Sequence, residues 1–132
     1  MNICKHLERL KESLEVIDES ITRGIIRRQR TIGFSLSAAS ADMFEIFLHK
    51  EKLVDPGFVV KHEWFKSKNK LEEKFPFDFA AKAVIFELMG LMEEKRDALC
   101  YGVPKEEKYI RDAIDNFNEL KKIFDTKGII HE

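Results

Sequence analysis

Ile32-Gly33-Phe34-Ser35-Leu36-Ser37-Ala38-Ala39-Ser40-Ala41-Asp42-Met43-Phe44-Glu45-Ile46-Phe47-Leu48 is the segment from which the architecture follows. Ile32, Leu36, Ala39, Met43 and Ile46 recur at spacings of 4, 3, 4 and 3, the period of one helix face. The pattern predicts a helix over residues 25–50. Gly33, Ser35, Ser37, Ala38, Ala39, Ser40 and Ala41 crowd its middle. Small side chains let a second helix backbone come close, so this helix is expected at the centre of a bundle.

The flanking sequence supplies the neighbours. Ile3, Leu7, Leu10, Leu14, Ile17 and Ile21 recur at spacings of 4, 3, 4, 3 and 4, with charged residues between and Gly24 as the break. Asp55-Pro56-Gly57 is a turn signal, followed by the aromatic run Phe58-Val59-Val60-Lys61-His62-Glu63-Trp64-Phe65. Charged residues 66–75 suit a short helix, ended by Pro76. Asp78 is a candidate N-cap for a long helix over residues 79–99, in whose interior Gly90 suits a close helix contact. A last helix spans about residues 105–124, with Ile110, Ala113, Ile114, Phe117, Leu120 and Phe124 on its apolar face, and a loose tail after Gly128. No strand period competes with these patterns. The expectation is a single all-α domain over residues 1–132: an antiparallel up-and-down bundle of four long helices plus a short helix.

At 132 residues the chain is long enough for a real core. Its charged share is high at 36%, but 23 Lys+Arg against 24 Asp+Glu nearly cancel, so only a local patch can attract nucleic acid. Four arginines at 23, 27, 28 and 30, with no acid between residues 20 and 41, form one candidate patch. Cys4 and Cys100 are too far apart in sequence to suggest a disulfide framework or zinc spacing. The start has no signal-peptide run, and no stretch reads as a membrane span, so a cytoplasmic protein is expected. His6, His49 and His131 have no metal-ligand companions in the sequence, and neither a metal nor a cofactor is anticipated.

Chemistry concentrates in Glu94-Lys95-Arg96-Asp97-Ala98-Leu99-Cys100-Tyr101-Gly102, at the end of the long helix. Arg96, Asp97, Cys100 and Tyr101 share one neighbourhood there. Arginine suits phosphate because its planar fork donates parallel hydrogen bonds. His62 is a candidate to join a cleft, although a histidine beside Trp64 also suits simple packing. Asp42 and Glu45, three apart on the small-residue helix, are candidates to meet Arg96 across the bundle; solvent-facing acids are the plainer reading. Phe58, Trp64, Phe65, Phe75 and Phe77 are core material first, or cover for a groove.

The order of these features resembles a HEPN domain over about residues 5–125. The small-residue helix, the segment Val60-Lys61-His62-Glu63-Trp64-Phe65, and the run Lys95-Arg96-Asp97-Ala98-Leu99-Cys100-Tyr101-Gly102 before a final helix carry the resemblance. Active members are metal-independent ribonucleases with an arginine, then a polar residue, then a histidine four to six positions after the arginine. Arg96 matches the arginine and Asp97 the polar place, but Cys100, Tyr101 and Gly102 stand where the histidine would be. The resemblance therefore implies a module that binds RNA or nucleotide phosphate at Arg96, with Asp97, Asp42, Glu45 and His62 as candidate ligand contacts, without efficient turnover. It also implies a homodimer with facing arginine motifs and a small nucleotidyltransferase partner, as in toxin–antitoxin systems. The rival expectation is a ribonuclease using Arg96 with Tyr101 as substitute proton carrier. Tyrosine, with a pKa about 10, is a poor base near neutrality. A third reading leaves Arg96 a structural cation near a helix C-terminus.

Overall fold

A computed structural model describes residues 2–129. The described chain is all-helical: α1 (Ile3–Arg23), α2 (Gln29–Lys50), a 3-10 turn (His62–Lys66), α3 (Lys68–Lys74), α4 (Lys82–Tyr101) and α5 (Glu107–Thr126). The Asn2 side chain starts α1 by accepting the Lys5 N–H at 2.9 Å, and the helix stops at Gly24. Leu10 and Ile17 from its apolar seam are buried, whereas Ile21 at the end of the seam is exposed.

α2 is the central helix. It packs on α1, α4 and α5, so apolar and small residues are buried nearly all round it. Its pairings fix the direction of its neighbours. His6 of α1 meets Asp42, while along α4 Leu99 lies at Gly33, Glu93 at Ser37 and Phe86 at Phe44. α4 therefore runs antiparallel to α2, and the start of α1 lies against the second half of α2. Gly33 permits the tightest approach: a Cβ there would lie 2.7 Å from Leu99 Cβ. Gly90 faces the 3-10 turn rather than another helix, with the Phe65 carbonyl oxygen 3.3 Å from where its Cβ would stand.

α2 begins at Gln29, later than its apolar period suggests, because residues 25–28 form a turn. Gln29, the only glutamine, pins that turn to the α4–α5 connection: its Oε1 accepts the Lys105 N–H at 2.7 Å and its Nε2 donates to the Ile26 carbonyl at 2.9 Å. α4 likewise begins at Lys82, after Ala81 in the left-handed region (φ 65°). Asp78 does not cap α4; its carboxylate accepts the Phe79 N–H, and Lys82 Nζ donates to the Phe75 and Phe77 carbonyls across the turn. The segment after α5 is tied down as far as Ile129, which is buried, with Lys50 Nζ on the Gly128 carbonyl. Residues 130–132, including His131 and the end of the expected loose tail, lie outside the described residues.

The core centres on Phe44, fully buried and within 6.5 Å (ring centroids) of Phe47, Phe65, Phe75, Phe79, Phe86 and Phe124. Phe58 and Trp64 extend this aromatic layer under the connector between α2 and α3. Among the described helices α2 alone is long and apolar enough to cross a bilayer; 78% of its most apolar window is buried inside the protein, as in a core helix.

Candidate functional site

One turn of α4 carries both halves of the site. Glu93 and Arg96 are three residues apart, so both face the connector that arrives at His62. Glu93 is 1% exposed. Its Oε2 accepts the hydroxyl of buried Ser37 at 2.7 Å and lies 2.7 Å from His62 Nδ1; Ser37 Oγ is 3.1 Å from the same nitrogen. Val60 is held independently, its N–H donating to Glu45.

These contacts set the imidazole's role. A buried carboxylate facing Nδ1 calls for a proton on that nitrogen, as in other carboxylate–histidine pairs. Nε2 then remains without a protein partner among the described residues, on a ring 39% exposed. His62 and Arg96 line one open cleft of about 450 Å³, with Val60, Lys61, Glu63, Lys66 and Glu93. The Arg96 guanidinium sits 5.8 Å over the ring of Phe34, which is 57% exposed. Among the described residues no carboxylate lies within 4.0 Å of it. Arg96 is thus a half-buried cation at the edge of a cleft, not a member of an internal ion pair.

The other candidates divide. Asp97 does not line the cleft itself but pairs at 2.5 Å with Lys66, which does, a bond that raises the Lys66 pKa. Tyr101 is 72% exposed at the end of α4 and is not among the residues lining the cleft. Cys100 donates to the Arg30 carbonyl at 3.4 Å; burial pushes its thiol up, outweighing Arg96 and Arg30, which act the other way. That bond puts the Arg30 backbone beside Cys100, four residues after Arg96 on α4. The basic cluster is otherwise spread over the turn between α1 and α2, with Arg23 paired to Glu19.

Asp42 and Glu45 neither face solvent nor meet Arg96. Both are buried around His6: Nδ1 is 2.8 Å from Asp42 Oδ1, and Nε2 abuts Glu45 Oε2 without the geometry of a hydrogen bond. The i, i+3 spacing puts the two acids on one face of α2, but α1 covers that face and supplies the histidine. Three functional groups were thus not picked out in the sequence: Glu93, Ser37 and His6. Glu93 had a usable signal, its one-turn offset from Arg96; Ser37 was hidden among the small residues that serve helix packing.

Burial raises the Asp42 pKa, against the lowering effects of His6 and Arg9. A carboxyl with a higher pKa folded than unfolded takes up a proton on folding, so its contribution to stability falls as pH rises from the ordinary carboxylate value of 3.8 through the raised one. Asp42→Asn removes this component. In urea titrations between pH 4 and 7, wild type is expected to lose stability relative to Asp42→Asn as pH rises; a constant difference would refute the assignment.

No protein-family model, no curated protein and no solved structure matches this chain.

Proposed function

We propose that this chain is a HEPN-type helical module that binds the phosphate of RNA or of a nucleotide at Arg96, with His62 as a second contact. The observation that carries this reading is the Arg96 guanidinium at the rim of the cleft with no carboxylate within 4.0 Å among the described residues. A guanidinium whose donors are not spent on protein oxygen is suited to phosphate. Lys61 and Lys66 line the same cleft, and the exposed Phe34 ring beside Arg96 offers a face on which a base can stack. Homodimer formation and docking of a small nucleotidyltransferase in the cytoplasm, as in toxin–antitoxin modules, belong to the same proposal through the resemblance alone.

The test is binding of a fluorescent single-stranded RNA, in EDTA, across a salt series. Arg96→Ala is expected to weaken binding and to flatten the salt slope by about 0.7 for the one lost phosphate contact. Equal affinity and slope in wild type and variant would remove Arg96 from the role.

A second reading, metal-independent RNA cleavage, is favoured by one specific observation. The histidine missing from the Arg96 motif has a spatial counterpart in His62, whose Nδ1 faces Glu93 and whose Nε2 is left for a ligand. In this reading His62 replaces Tyr101 as the proton carrier. Cleavage needs the 2′-OH deprotonated and the leaving 5′-oxygen protonated, and imidazole exchanges protons near neutrality. Arg96 would then stabilise charge on the phosphorane.

A further inference from the structure

We infer that Glu45, which abuts His6 of α1, is a positioning residue for His62, and that the packing of α1 is thereby coupled to the cleft. The inference rests on the phosphate-site reading only for its consequence; the positioning itself is separately measurable. Three observations support it. First, Glu45 is buried and contacts two elements at once: one carboxylate oxygen accepts the Val60 N–H, the other meets His6 of α1. Second, Val60 is two residues before His62 in an extended connector, and Val60 lines the cleft beside it. Third, among the described residues the His6 contacts are the only side-chain hydrogen bonds or ion pairs between α1 and α2.

The chemistry explains why the bond to Val60 needs the whole cluster. The His6 ring stands between two buried carboxylates on one helix face, Nδ1 at Asp42 and Nε2 against Glu45, and keeps them apart. Without His6 those carboxylates repel each other, and Glu45 is drawn towards water and away from Val60. Without Glu45 the Val60 N–H is buried and unpaired, and the connector must shift to hydrate it. Its nearest downstream polar anchor is the His62 ring on Glu93 and Ser37. A connector displaced at Val60 therefore moves the ring relative to Arg96.

The experiment reads the ring directly. The His62 Cε1–Hε1 NMR signal, assigned by its loss in His62→Gln, is followed in the full chain for wild type, Glu45→Ala and Glu45→Gln. Glu45→Ala is expected to move it towards the position of a solvent-exposed histidine. Glu45→Gln should restore it, because the amide oxygen still accepts from Val60 while the amide nitrogen is turned towards His6. Val60→Pro deletes the donor without touching the buried charges and should reproduce the Glu45→Ala shift, which keeps the test alive if Glu45→Ala does not fold. An unmoved His62 signal in folded Glu45→Ala or in Val60→Pro would overturn the proposal. RNA affinity measured on the same samples should fall with the Ala and Pro variants and hold with Gln. Moved ring signals with unchanged affinity would uphold the positioning and count against the phosphate site instead.

Discussion

Phe44→Ala should destabilise the fold by about 3–5 kcal/mol, the usual range for a buried phenylalanine cut to alanine. Phe44 is completely buried and has aromatic rings beside it from five parts of the fold: its own helix, the 3-10 turn, the Phe75–Phe79 turn, α4 and α5. Collapse around the deleted ring would have to move several elements at once, so little of the cavity should close. For a domain of this size such a loss lowers the melting temperature by roughly 10–20 °C. Trp64, the sole tryptophan, packs on Phe75 in the same layer, so its fluorescence reports the transition in urea. A loss below about 1 kcal/mol would mean that Phe44 is not the centre of the core.

His62→Ala is the second large effect, and it separates binding from turnover. If the cleft cleaves RNA, removing its proton carrier should lower the single-turnover rate in EDTA by about 10²–10⁴-fold. RNA affinity should also fall, through loss of the second contact, but by much less than the rate, because Arg96 keeps its contact with phosphate. Arg96→Ala should reduce both quantities, and Tyr101→Phe neither, since that ring stands in solvent outside the cleft. Cleavage by His62→Ala at the wild-type rate would exclude the imidazole as acid or base. Absence of cleavage by wild type over a panel of RNAs would leave the binding function alone.

Legibility in the sequence followed the length scale of the interaction. Ile32, Leu36, Ala39, Met43 and Ile46 announce a helix because their spacing is a local property of the chain, and their small neighbours announce its close packing. Helix ends were less legible. The turn before α2 is held by a Gln29 side-chain bond to Lys105, 76 positions away, and before α4 the Asp78 carboxylate is taken by the Phe79 N–H, with Ala81 in the left-handed region. Arg96 was visible because arginine followed by acid and tyrosine stands out at a helix end. The fate of Asp42 and Glu45 was not, because their spacing states which face they share and not which residue covers it.

The sequence by itself determined the helical class, the central place of the small-residue helix and the presence of an arginine suited to anions, since each depends on periodicity or on one side chain's chemistry. Only the tertiary structure decided the company that arginine keeps. Ser37, His62 and Glu93 are separated by 25 and 31 positions along the chain and meet within 3.1 Å. The antiparallel pairing of α2 with α4 and the connector pinned at Val60 bring them together. Contacts at such separations arise from how helices stack, and stacking depends on the whole core at once.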